Sequence, residues 1–324
     1  MYMERNGGAV VNKKRRLQLV CLLLVCMIFA GCVAPVRTEF HPDLSRIRED
    51  TIYLCRDIGI RVTGTEQEVA TADWIEEKLK EAGFTDEKHL IRIPFEGAEG
   101  KFSENCVAIC NPESRGKIYS VVAHYDSVAT SPGARDNAAA VAGLLEIARF
   151  LGAENSGLDC QIRMIFLGSE ENGYHGSKAY VDMLTPEEKE RHAGAFNMDI
   201  SAASESDGAQ LVCNTLGAVT GGEYREGNFI VPAEGALTDA VRKAYWELYG
   251  KELGGVFHFG ESDHVSFHNA RLEAANVCWR KVSDNMPVLP ESYHKMEDTP
   301  EELDYETIAA SIRCIVRAIE IMES

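Results

Sequence analysis

The sequence predicts an α/β fold: a single domain whose mixed, mostly parallel central sheet carries helices on both faces. Three observations predict it. Short, continuously apolar runs at 118–123, 162–167 and 195–198 read as strands buried on both sides. Helical patterns lie between and after them, the alternation expected of parallel strands joined by crossovers. No repeat or low-complexity linker divides residues 46–324, and 45% hydrophobic with 26% charged residues is an ordinary globular composition that excludes disordered, collagenous and coiled-coil chains.

In chain order, residues 1–32 read first, as an export signal. Lys13-Lys14-Arg15-Arg16 precede the apolar run Leu17–Ala30, which is shorter than the about 20 residues a bilayer span needs. Its end, Phe29-Ala30-Gly31-Cys32, is similar to a bacterial lipobox, with Phe where Leu is commoner. That similarity implies a diacylglyceryl group on Cys32 and attachment to the extracytoplasmic side of a bacterial membrane; the alternative is an ordinary signal and a secreted protein. Residues 33–45 read as a tether. Thr65-Glu66-Gln67-Glu68 is a capping-box pattern that opens a helix with Val69, Ala72, Ile75 and Leu79 on one face and Gly83 as its stop. Ile118–Ala123 is the first buried strand. Asn137–Leu151, apolar nearly all round, is a buried helix. Ile162–Leu167 and Ala195–Met198 are the second and third strands. A helix is expected around Thr238–Tyr249, and a last one over Tyr305–Met322 with Ile308, Ile312, Ile315 and Ile319 towards the core.

Charge and cysteine content narrow the partners. There are 33 basic and 51 acidic residues, a net charge of −18. Such a chain lacks the cationic surplus that nucleic acid binding needs; it suits metal cations and substrates that carry an ammonium group. Of 10 cysteines, the seven from Cys55 to Cys314 belong to the mature chain. Seven is odd, no CxxC or Cys/His zinc pattern occurs, and several sit in apolar stretches. The expectation is mostly buried free thiols with one or two bridges. The oligomeric state is not legible.

Polar residues at the strand ends carry the chemistry. His124-Tyr125-Asp126 comes after the first strand, Glu170-Glu171 after the second and Asp199 after the third; Asp136 stands just before the buried helix. The carboxyl ends of parallel strands line one crevice. One histidine and five carboxylates converging there would repel one another without a cation between them. Imidazole with carboxylate oxygen suits zinc, or manganese or cobalt.

With these residues the chain resembles the M28-type zinc aminopeptidases, exported bacterial two-zinc exopeptidases. The resemblance rests on His124-Tyr125-Asp126-Ser127, Gly133-Ala134-Arg135-Asp136-Asn137, Glu170-Glu171-Asn172-Gly173-Tyr174-His175-Gly176-Ser177, Asn197-Met198-Asp199, Ser262-Asp263-His264, and Tyr293-His294 with Asp298-Thr299. It spans about residues 46–324. It implies two divalent metal ions, zinc foremost: one held by His124 and Asp199, the other by Glu171 and His294, with Asp136 bridging both. It implies Glu170 as general base, Tyr293 as donor to the developing oxyanion, and Asp126 as the group that orients the His124 ring. The implied substrates are peptides with a free N-terminus.

Departures accompany the resemblance. Arg135 stands where a small, polar or acidic residue is usual, and is expected to pair with a carboxylate. Phe267-His268-Asn269-Ala270-Arg271-Leu272 lacks the usual Gly-Ile-Pro. His258, His264 and His268 read as pocket or structural residues, and His175 as a loop residue. The pocket is expected in loops between Ser201 and Phe267. Two rival readings remain: a glutaminyl cyclase on the same fold, disfavoured by Asn137 after Asp136 and by the short path from Glu171 to Gly176-Ser177; and an inactive lipid-anchored binding protein, disfavoured because no ligand position is lost.

Overall fold

The computed structural model of the protein describes residues 39–152, 157–215, 235–258, 261–284 and 286–324. The signal segment, the first part of the tether and residues 216–234 of the expected pocket loops lie outside the described residues. Phe40–Ser324 form one unit. Phe40 is buried and stacks on Phe150 at 4.5 Å, and Asp43 caps the first helix, so residues 40–45 of the stretch read as a tether belong to the fold.

Among the described residues nine strands form one mixed sheet: β1 (Leu90–Glu96), β2 (Phe102–Cys110), β3 (Ile118–His124), β4 (Gln161–Leu167), β5 (His192–Asn197), β6 (Ala209–Asn214), β7 (Gly255–Phe257), β8 (Ala274–Ser283) and β9 (Met286–Val288). The order is β1-β2-β4-β3-β5-β8-β6-β7, with β9 on β8. The centre, β4-β3-β5-β8, is parallel throughout. Antiparallel pairs flank it: β1 with β2 and β2 with β4 on one side, β6 and β9 with β8 on the other.

Successive side chains of the central strands serve two cores, as strand periodicity requires. Val121, Ala123, Met164, Phe166 and Phe196 face the larger one. It is closed by α1 (Leu44–Ile52), α2 (Glu66–Glu81), α3 (Ala139–Leu151), α6 (Ala236–Tyr249) and α8 (Tyr305–Met322). Val122, Ile165, Leu167 and Ala195 face the other, with Tyr180 and Val181 of α4 (His175–Met183) and Phe267 of α7 (His264–Asn269). A short α5 (Pro186–Arg191), capped by Thr185 and Glu188, leads into β5.

The helices refine the reading. In α8 all four expected isoleucines are buried. In α2, Val69 lies outside the inner face and is half exposed; Glu68 takes the inward position. Thr65 caps α2 as expected, accepting from the Glu68 amide, but the Glu68 carboxylate reaches back to Gly64 N rather than to Thr65. α3 starts at Ala139 because Asp136 and Asn137 hold non-helical backbone in the turn Ala134–Ala138. All seven mature-chain cysteines are buried and none is in a disulfide, so the expected bridges are not formed. No helix among the described residues is long and apolar enough to cross a membrane.

Candidate metal centre

Because β4, β3 and β5 are parallel neighbours, the residues at their carboxyl ends emerge at one edge. His124 closes β3 in the middle; Glu170 and Glu171 follow β4; Asp199 follows β5. The turn from β4 to Glu170 needs glycine: a Cβ at Gly168 would lie 2.3 Å from Ser103 Oγ. Asp136 comes from the turn before α3, and His294 from the segment after β9, where Thr130 Oγ1 donates to its carbonyl at 2.9 Å.

Five side chains meet in a defined pattern. His124 Nε2 lies 3.2 Å from Asp136 Oδ1 and 3.4 Å from Asp199 Oδ1. His294 Nε2 lies 3.3 Å from Asp136 Oδ2 and 3.2 Å from Glu171 Oε2. Asp136 thus turns one oxygen to each histidine. Each histidine also has a second carboxylate of its own.

These distances test whether the residues fit a metal. Two atoms that each bind a tetrahedral zinc at about 2.0 Å lie about 3.3 Å apart; all four contacts agree. The hydrogen-bonding capacity agrees as well. Glu171 Oε1, Asp199 Oδ1 and His294 Nε2 are buried and make no hydrogen bond among the described residues, although buried polar atoms ordinarily do. The donor set of imidazole and carboxylate suits zinc. Among the described residues two trios are close enough to hold an ion, His124–Glu170–Asp199 and His124–Asp136–Glu171. Glu170 is therefore within reach of the same space as the His124–Asp199 pair.

The electrostatics show the same demand for a cation. Burial, partly offset by His124 and reinforced by Asp199, Asp263 and Glu171, holds the Glu170 carboxyl well above the ordinary range. Burial pushes Glu171 up to about 7 against the pull of His294. Asp136 is the exception: burial is outweighed by His124 and His294, which hold it below the usual carboxylate range. Asp136 and Glu171 hold His294 up at about 10.

The surroundings hold the five groups in place. The Asp126 carboxylate accepts the amides of Glu170 at 3.0 Å and Glu171 at 3.2 Å, one per oxygen. The His124 Nδ1 atom meets the Asp126 carbonyl at 3.2 Å and its carboxylate at 3.5 Å. Asp126 therefore grips the turn carrying both glutamates as well as facing the ring. Tyr293 stacks on His294 at 3.7 Å, and burial together with Asp136, Asp199, Glu171 and Glu170 pushes its hydroxyl up. Asp263 is fully buried, with neither oxygen hydrogen-bonded among the described residues, and burial pushes it up to about 7. The rings of His264 and His268 lie 6.2 Å apart in α7, and His175 is the first residue of α4 rather than part of a loop.

Arg135 departs from expectation. It makes no ion pair among the described residues. Its amide donates to Asp298 Oδ1 and its Nη2 to the Glu302 carbonyl, because the neighbouring carboxylate is already engaged by the amides of Arg135 and Asp136. Two further contacts are not legible from the sequence, although Asp298 itself lies in one of its motifs. One is this use of Asp298, which fixes the turn around Asp136. The other is Arg61, fully buried, which donates to the carbonyls of Leu54, Gly59, Tyr125, Pro132 and Gly133. Its partners are main-chain atoms, three of them more than 60 residues away, which no pattern of residue types marks.

Comparison with known proteins agrees with the fold. The family model for Peptidase family M28 matches residues 105–319. Aminopeptidase YwaD of Bacillus subtilis is 32% identical over 266 residues, covering 81% of this chain and 51% of YwaD. The probable lipoprotein aminopeptidase LpqL of Mycobacterium tuberculosis is 28% identical, covering 62% of this chain and 42% of LpqL. The chain thus spans about half the length of these relatives. Among solved structures, the zinc aminopeptidase BSAP of Bacillus subtilis matches with a TM-score of 0.74 at 20% identity, over 88% of this chain and 96% of that one. A glutaminyl cyclase of Porphyromonas gingivalis matches with a TM-score of 0.68 at 20% identity, over 87% and 99%.

Proposed function

The chain belongs to peptidase family M28, and on that premise we propose that it is a metal-dependent aminopeptidase that removes the N-terminal amino acid from peptides. The observation that carries the proposal is Asp136, with one oxygen facing His124 and the other His294, each histidine having a further carboxylate beside it. In this reading His124 and Asp199 hold one divalent ion, Glu171 and His294 the other, and Asp136 both. When bound, such a pair lowers the pKa of water and polarises the scissile carbonyl.

The chain's own groups do the rest. Glu170, buried beside the ligands, takes the proton of the attacking water and returns it to the leaving amine. Asp126 keeps Glu170 and Glu171 divergent by holding both their amides. The Tyr293 hydroxyl, protonated through its surroundings, donates to the oxyanion that develops on the substrate carbonyl. The surplus of carboxylates attracts the free α-ammonium group, which sits by Asp199 and sets the cut one residue in. Residues 1–32 serve as the export signal and 46–324 as the peptidase domain, with the chain anchored to an extracytoplasmic membrane face through lipidated Cys32.

The test uses the full-length protein in detergent, stripped of metal and reloaded with zinc. A panel of unblocked and N-acetylated peptides, some beginning with Gln, is assayed for released amino acids. Zinc-dependent release from free amines only is the expected result. Cyclisation of N-terminal Gln without release would replace this reading with the cyclase, whose fold the chain shares. No turnover without bound metal would favour an inactive binding protein.

A further inference from the structure

The loop that leads into α2 is distant from the metal-ligand motifs in sequence but runs beside one of them in space. The Ser127 amide donates to the Arg61 carbonyl at 3.2 Å, and the Arg61 amide to Ser127 Oγ at 3.0 Å. Thr63, two residues on and 1% exposed, turns its hydroxyl to Asp126 Oδ2 at 3.4 Å. The loop is pinned beyond it as well. Thr65 Oγ1 donates to the Val62 carbonyl at 2.6 Å, and the Gly64 amide to Glu68 Oε2 at 2.5 Å.

The two oxygens of Asp126 have different partners. Oδ1 accepts the Glu170 amide at 3.0 Å; Oδ2 accepts the Glu171 amide at 3.2 Å together with the Thr63 hydroxyl. Asp126 is fully buried, so its charge depends on such donors. The same hydroxyl accepts from Asn172 Nδ2 at 2.9 Å. A hydroxyl can donate and accept at once, and Thr63 does both. These bonds close a ring that runs from the Glu171 amide through Asp126 Oδ2, Thr63 Oγ1 and the Asn172 side chain, and back along the main chain to Glu171. Glu171 is therefore held on both sides, by its own amide and by the side chain next to it. Its Oε2 atom faces His294 Nε2 at 3.2 Å. The ring contains neither His124 nor Asp199; Asp126 meets the His124 ring with its carbonyl and its other oxygen.

We propose that Thr63, with Asn172, is a positioning residue for Glu171, so that removing its hydroxyl weakens the metal ion held by Glu171 and His294 and spares the one held by His124 and Asp199. This rests on the two-metal reading and adds to it an asymmetry between the two ions.

The test reads metal binding rather than turnover. Each zinc dissociation constant of the full-length protein in detergent is measured by competition with a chromophoric chelator, and Glu171→Ala marks the step that depends on Glu171. Thr63→Val keeps the shape and removes the hydroxyl. It should raise the constant of that step about 10–100-fold, the usual cost of losing a group that orients a metal ligand, and move the other by less than about twofold. Thr63→Ser keeps the hydroxyl and should restore wild-type binding at both steps. Asn172→Ala opens the same ring at an exposed position and should raise the same constant about three- to tenfold, the worth of one hydrogen bond. Added to Thr63→Val it should change nothing further, because the ring is already open. Should Thr63→Val fail to fold, Thr63→Ser and Asn172→Ala decide. Both steps shifting together, with a lower Tm of the metal-free protein, would show general support of the fold and overturn the proposal. So would a marked step unmoved by Thr63→Val, or by Asn172→Ala in its place. A wild type whose zinc binding does not depend on Glu171 fails the two-metal reading itself, and this proposal with it.

Discussion

At the scale of the residue, Asp136 and Glu170 make opposite predictions although both are buried carboxylates in one crevice. Asp136 offers an oxygen to each histidine, so Asp136→Ala should cost both metals; two ions at full occupancy by elemental analysis would end its bridging role. Glu170→Ala should keep the metal and lose two to four orders of magnitude in turnover, about the range for removing a general base. The alternative is concrete, since Glu170 is also within reach of the space between His124 and Asp199. Metal lost in proportion to activity would make Glu170 a ligand. These residues could be read from sequence because each comes directly after an apolar strand or precedes an apolar helix. The sense in which Asp126 works was less legible, because its contacts to the Glu170 and Glu171 amides involve main-chain atoms.

At the scale of the element, two devices hold the crevice open in the right shape. Arg61 ties the end of α1, the end of β3 and the turn before Asp136 through five carbonyls. Arg61→Met leaves those acceptors buried and unmet, and should cost about 4 kcal/mol or more in denaturant unfolding; a loss below about 1 kcal/mol would show that water replaces it. The N-terminus of α2 carries a titrating device. Glu68 is buried between Ser103 Oγ and Gly64 N, and burial holds its carboxyl at about 7. Between its unfolded value of about 4.5 and 7, the folded chain binds more protons than the unfolded chain, so this group's contribution to stability falls as pH rises. Glu68→Gln does not titrate. Its Tm relative to wild type should therefore climb from pH 4.5 to 7 and stay level above; a pH-independent difference would count against the assignment. The same elements show where sequence patterns suffice. β3, β4 and α8 were legible because burial on both faces or a clean isoleucine stripe leaves a strong signal. β1 was not, since its solvent-sharing edge mixes Arg92 and Pro94 with isoleucines. β6 to β9 were missed because they are short or lie beside segments without periodicity.

At the scale of the whole molecule, the bound ions should act as part of the fold. Glu170, Glu171 and Asp263 carry raised proton affinities because burial strips their charge of water and neighbouring carboxylates add repulsion. Ions that bind only the folded chain stabilise it by about 4 kcal/mol when free metal exceeds Kd a thousandfold. Calorimetry should therefore show a lower Tm after chelation, restored by zinc; an unchanged Tm would mean the centre is rigid and weakly bound. A different property of the molecule stems from its seven sheltered thiols. Among the described residues no disulfide fixes the order in which the chain assembles, so their refolding from denaturant needs no oxidant and no shuffling of partners. The thiols lie in β2, β6, β8, α8, the turn after α1 and the approach to β4. An alkylating reagent can then reach each one only when its own neighbourhood opens. The rate at which each sulfur is modified becomes a clock for local opening, read at seven places in one native chain.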